Sequence, residues 1–199
     1  MKRLRSARGF TLAELMIVVA IMGVLAALSI YGVRRYLVAA KASEAKHGVG
    51  NMARSAFAAF ERENVPSETV GEGSASTKVS HQLCETAVPV PAFVPKARKY
   101  QPITAEGVDF NSGDTLSGWK CLRYNVNHPI YHQYHYTKGS SPVAPASPIV
   151  CNGECFEAGA MGDLNGNGTP GRYARTGYVN TATGALKMSS FVYVDDEAE

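Results

Sequence analysis

Nineteen consecutive residues, Leu15 to Val33, carry no charge, with Glu14 closing the run on one side and Arg34 on the other. As a helix rising about 1.5 Å per residue they extend roughly 28 Å, close to the ~30 Å hydrocarbon thickness of a bilayer. A membrane crossing is predicted. The apolar periodicity continues past it: Val33, Leu37, Ala40, Val49, Met52, Ala53, Ala56 and Phe60 recur at helical spacings, while Arg34, Arg35, Lys41, Glu44, Lys46, Arg54, Glu61 and Arg62 take much of the other surface. One long helix is therefore predicted from Phe10 to about Glu63, apolar all round in its first half and amphipathic in its second. Pro66 sets its end, because the residue before a proline is pushed out of the helical region.

Beyond Pro66 the pattern changes to short β-rich runs among Gly, Ser, Thr and Pro. Residues 67–80 read as a loop, and Pro89, Pro91, Pro95 and Pro102 make residues 85–105 a poor helix. Strands are predicted at Trp119 to Val126, Ile130 to Tyr136, Gly171 to Asn180 and Ala185 to Val194. The last two are joined through the turn Thr181-Ala182-Thr183-Gly184 into a hairpin. In the second, Ile130, His132, Tyr134 and Tyr136 share one face and Tyr131, Gln133 and His135 the other. Residues 139–150 read as an exposed loop. The fold class expected is α+β, a small antiparallel sheet covering the amphipathic half of the helix.

Charge is concentrated at the start. The formal net charge is +3, yet Lys2, Arg3, Arg5 and Arg8 contribute four positive charges before Gly9 and leave −1 for the remainder. A basic leader of this kind favours a cytoplasmic N-terminus with the rest of the chain on the far side, and gives no support for a nucleic-acid surface. Cys84, Cys121, Cys151 and Cys155 all follow the apolar run, an even number that points to disulfides in an oxidising compartment. Two staples are expected, Cys84 with Cys121 and Cys151 with Cys155, although three pairings are formally open. No second pair with ligand spacing accompanies Cys151 and Cys155 to suggest zinc.

Two further groups invite a metal. Strand alternation puts His132 and His135 on opposite faces, so with His128 they are read as surface or packing residues. Asp163, Asn165 and Asn167 followed by Gly168 and Thr169, with Gly166 between, resemble the front of a calcium loop, where oxygen ligands at alternate positions precede a tight turn. The twelfth position is Ala174, which supplies no bidentate carboxylate. A turn rich in Asn and Gly also forms without an ion, so a calcium site at Asp163, Asn165, Asn167 and Thr169 is only the secondary reading, and no cofactor is expected to be required.

The junction before the apolar run decides between functions. An ordinary secretory signal, cleaved near Ala27-Leu28-Ser29, or a simple anchor leaves Glu14 as an unexplained cost. The string Gly9-Phe10-Thr11-Leu12-Ala13-Glu14-Leu15-Met16-Ile17-Val18-Val19 with its basic leader instead closely resembles the N-terminus of type IV pilins and the related pseudopilins. That resemblance implies cleavage after Gly9 by a membrane peptidase, methylation of the new amine of Phe10, and Glu14 as the family's glutamate. The physics agrees: a freshly made cationic terminus and a carboxylate four residues on attract strongly in low dielectric, most favourably between stacked chains. Many relatives carry a helix-breaking proline after the apolar run, where this chain reads Ser29-Ile30-Tyr31-Gly32.

The resemblance implies a pilin fold, with residues 1–9 a cleaved leader, 10–33 a membrane and polymerisation helix, 34–65 its amphipathic continuation and 66–199 a β-rich head. It implies a structural subunit: a precursor in the inner membrane, then an extracellular filament used for adhesion, twitching motility or DNA uptake. Partners would be further copies or other pilins, the prepilin peptidase and methyltransferase, and an inner-membrane assembly platform. The alternatives are a periplasmic pseudopilus subunit of type II secretion and a membrane-anchored binding domain that never polymerises. No catalysis is expected, since no phosphate loop, metal-ligand helix or nucleophile constellation stands out from chance.

Overall fold

The computed structural model describes residues 9–62, 81–139 and 154–197. The leader residues 1–8, the helix end around Glu63 and Pro66, the 67–80 loop, nearly all of the 139–150 loop and Cys151 lie outside the described residues. Two compact units are separated between Ala39 and Ala40.

The first unit contributes the beginning of helix α1 (Leu12–Phe60). From Phe10 to Leu37 every side chain is exposed, including Leu15, Ile17, Ile21, Leu25, Leu28 and Ile30. This helix is long and apolar enough to cross a membrane. So much uncovered apolar surface calls for lipid or other chains.

In the second unit the rest of α1 packs on a six-stranded antiparallel sheet. The strands are β1 (Ala87–Val90), β2 (Gln133–Lys138), β3 (Cys155–Gly162), β4 (Gly171–Val179), β5 (Leu186–Met188) and β6 (Tyr193–Asp195), in the order β1-β2-β3-β4-β5, with β6 also on β4. The architecture is α+β and pilin-like. Ala42, Ala45, Gly48, Val49, Met52, Ala53, Ala56, Ala59 and Phe60 form the buried stripe of α1. Small residues there let the backbone approach the rings on the sheet: a Cβ placed on Gly48 would stand 2.6 Å from Cε1 of Tyr134.

Gly48 and its neighbour Gly50 therefore separate two effects. Nothing lies within 4 Å of a Cβ on Gly50, so Gly50→Ala is expected to stabilise by up to about 1 kcal/mol through helix propensity. At Gly48 the same gain meets an overpacking cost of about 1–3 kcal/mol. Thermal unfolding of the two alanine variants should shift in opposite directions, Gly50→Ala upwards and Gly48→Ala downwards.

Several strand expectations are corrected. Trp119 to Val126 is not a strand: Gly118–Leu122 forms the short helix α2, ended by Arg123 in the left-handed region at φ 55°. Asp114 accepts hydrogen bonds from the Leu116 and Ser117 N–H groups just before it, and the Cys84–Cys121 disulfide ties it to the segment before β1. The loop closed by that bond spans a sequence separation of 37, a constraint on the unfolded chain of about 4 kcal/mol in the chain-entropy treatment. The Ala185 to Val194 run is two strands. Ser189 still donates to the Thr176 carbonyl, but residues 190–192 leave the ladder before Tyr193 rejoins opposite Ala174, and Phe191 points outwards, 72% exposed.

Strands β1 and β3 lie outside the strand runs that the sequence predicts. β1 lies inside the proline-rich stretch, at the sheet edge where the missing N–H of Pro89 is tolerated. β3 is central and buried throughout. Its small residues make room for rings: Gly159 lies under His135 and Gly162 under His132.

Both histidines are fully buried, on opposite faces as alternation requires. His135 Nε2 is 3.0 Å from Glu157 Oε1. His132 stands edge-on to Tyr173, and among the described residues neither of its ring nitrogens has a hydrogen-bond partner. Burial, with Lys41 nearby, pushes its pKa down to about 4. The unfolded chain binds this proton near pH 6.5 and the folded one only near 4, so stability falls as pH drops through that window, by about 3 kcal/mol in all. Chemical denaturation of the wild type and of His132→Leu at pH 7 and pH 4.5 should show a smaller acid loss in the variant.

Candidate functional site

Gly9 and Phe10 precede α1 without regular structure, and Phe10 is 89% exposed. The peptide bond between them is open to an enzyme. Thr11 begins the helix: its Oγ1 accepts from the Glu14 N–H at 3.2 Å, and Glu14 Oε2 accepts from the Thr11 N–H and the Thr11 hydroxyl, both at 2.8 Å. This reciprocal pattern is a capping box, which satisfies amides that the first helical turn leaves without carbonyl partners. Leu15 N–H then donates to the Thr11 carbonyl, the first helical bond of the turn.

Gly9, Phe10, Thr11 and Glu14 thus lie together at the start of the helix, with the Glu14 carboxylate folded back towards Thr11. Cutting after Gly9 would place a cationic amine one residue before the Thr11 N–H that Glu14 already binds. A carboxylate at a helix N-terminus also complements the helix dipole. Thr11 is a functional residue that the motif by itself does not single out, although the spacing Thr11-x-x-Glu14 before an apolar run is a capping-box signature.

The other expected site residues lie in the second unit. Cys84 and Cys121 are bonded to each other, with Cα atoms 5.9 Å apart. Cys155 is disulfide-bonded as well. Asp163 is buried, its Oδ1 accepting from Gly166 N–H at 2.6 Å and its Oδ2 from Gly168 N–H at 2.9 Å. Asn165 Oδ1 accepts from Asn167 N–H and Asn167 Oδ1 from Thr169 N–H. The four residues thus build a chain of side-chain-to-backbone turns, with Gly166 and Gly168 at φ 80° and 94°. Among the described residues, no three His, Cys, Asp or Glu side chains converge on a metal position.

Residues 4–30 match the family model of the prokaryotic N-terminal methylation motif. That motif is the class III prepilin signal of type IV pilins and pseudopilins, and over this segment it supports a type IV pilin- or pseudopilin-like protein. Neither the curated proteins nor the solved structures hold a significant match to the chain. The motif implies processing by a prepilin peptidase and assembly with other pilins, and with the apolar start of α1 it fits a membrane-anchored precursor.

Proposed function

We propose that the chain is a structural, non-catalytic subunit of an extracellular type IV pilus-like filament, cut after Gly9, methylated at Phe10 and polymerised through α1 with Glu14 setting register. The observation that carries this reading is the methylation motif at the head of an apolar helical segment exposed from Phe10 to Leu37. Stacked against further copies, that segment buries its apolar surface, and Glu14 exchanges its bonds with Thr11 for the amine of an adjacent Phe10. The head then forms the outer surface that serves adhesion, motility or DNA uptake.

Filaments sheared from the native host and digested for mass spectrometry test the reading. The chain is expected in the filament fraction. Recovery only with the envelope, together with loss of protein export on deletion, would indicate the secretion pseudopilus instead.

The Asp163 loop needs no ion in this reading, since both of its carboxylate oxygens already accept backbone N–H groups. Adding calcium, or a chelator, is expected to leave the melting temperature unchanged. A rise of several degrees with calcium would assign an ion to the loop.

A further inference from the structure

Two lysines converge on one half-buried tyrosine. Lys41 Nζ lies 4.3 Å from the Tyr131 ring centroid and Lys99 Nζ lies 5.0 Å from it. Lys99 belongs to a basic run with Lys96 and Arg98, all exposed. The backbone fixes this run in place. Ala97 N–H donates to the Asp163 carbonyl, and Tyr100 exchanges two hydrogen bonds with Ile130, beside Tyr131.

None of Lys41, Lys96, Arg98 and Lys99 takes part in the ion pairs found among the described residues. Two carboxylates on adjoining backbone are engaged elsewhere: Asp163 by its own loop, and Asp109 by the Tyr100 hydroxyl and the Ile103 N–H, both at 2.7 Å. An interaction with a ring face orients an ammonium group without cancelling its charge. The surface therefore presents four cations that pair with no carboxylate among the described residues, in a chain whose sequence after Gly9 is net negative.

The position along the sequence indicates the anion. Lys41 follows Val33, the last residue of the uncharged run, by eight residues, a reach under ~30 Å in any conformation. Arg34 and Arg35 fall within the same interval, on the side of the membrane where the orientation rule disfavours positive charge. An aromatic residue of the kind that prefers the headgroup level, Tyr131, accompanies the cations, and the apolar ring of Phe93 is 62% exposed and edge-on to Tyr100.

We propose that Lys41, Lys96, Arg98 and Lys99, grouped about Tyr131, form a surface that binds the phosphate headgroups of an anionic bilayer on the far side of the membrane. Before polymerisation this contact holds the head at the lipid surface, and extraction into a filament gives it up. The inference needs only the membrane helix, so it stands apart from the filament reading.

The full chain in nanodiscs tests it. Amine labelling read by mass spectrometry gives the rates at Lys41 and Lys99, with exposed Lys187 as internal reference. Each cation near an anionic surface gains about 1 kcal/mol, which corresponds to roughly fivefold. Labelling at Lys41 and Lys99 is thus expected to slow about fivefold in discs that contain an anionic phospholipid relative to purely zwitterionic discs. High salt should remove the difference, and the exposed double substitution Lys96→Gln and Arg98→Gln should shrink it at Lys99. Equal rates in the two discs would overturn the proposal. So would protection by inorganic phosphate in zwitterionic discs with nothing added by anionic lipid, or protection by a DNA duplex alone.

Discussion

Glu14→Ala is expected to abolish incorporation into filaments while leaving removal of the leader largely intact. The two outcomes separate because they read different parts of the same turn. In the proposed function the peptidase acts on Gly9 and Phe10, which lie before the helix and are exposed. Assembly as proposed would instead bring the Phe10 amine into an apolar stack, where a cation without a counter-charge is strongly disfavoured. Glu14→Ala also removes one half of the capping box with Thr11, so Glu14→Gln provides the control. Glutamine can still accept from the Thr11 N–H as a capping-box partner but carries no charge. Filament yield by electron microscopy and leader removal by gel mobility check both variants. Loss with Ala and recovery with Gln would reduce Glu14 to a helix cap, and loss with both places the requirement on its charge.

Trp119→Ala is expected to destabilise the head more than any other single truncation argued for above, by about 3–5 kcal/mol. Trp119 is completely buried, its ring centroid 4.9 Å from Phe110 and 5.7 Å from Tyr124, and its Nε1 donates to the Val88 carbonyl at 2.8 Å. It holds α2, the Asp109–Asn111 turn and the β1 edge together. For a chain of this length each kcal/mol moves the melting temperature by about 2–4 °C, so a fall on the order of 10 °C is expected by circular dichroism. A fall of only one or two degrees would mean that the Cys84–Cys121 disulfide alone organises this corner.

What the sequence made legible follows from where its signals are local. The helix was readable because an uncharged run and a 3.6-residue period are one-dimensional patterns, and the observed Leu12–Phe60 lies inside the expected Phe10 to Glu63. The methylation motif was readable for the same reason, although the bonds between Thr11 and Glu14 are visible only in the structure. The sheet was half readable. β2 and β4 carry aromatic and β-branched residues, whereas β3 reads Cys-Phe-Glu-Ala-Gly-Ala-Met-Gly, a composition with weak strand preference. Its glycines are fixed by His135 on the neighbouring strand β2 and by His132 just before it, information that no local window contains.

Trp119 to Val126 failed in the opposite way. Its aromatic content suited a strand, but Asp114 before it and the left-handed Arg123 within it favour a short helix. The basic surface around Tyr131 was invisible for a related reason: Lys41 and Lys99 are far apart along the chain and meet only because α1 and the segment bridged through Tyr100 and Ile130 each bring a lysine to one ring.

The mature N-terminus, determined by mass spectrometry on protein from the native host, tests the central claim most directly. A chain beginning at Phe10 with a methyl group on its amine is the predicted result. An intact leader, or a start near Ile30, would contradict it.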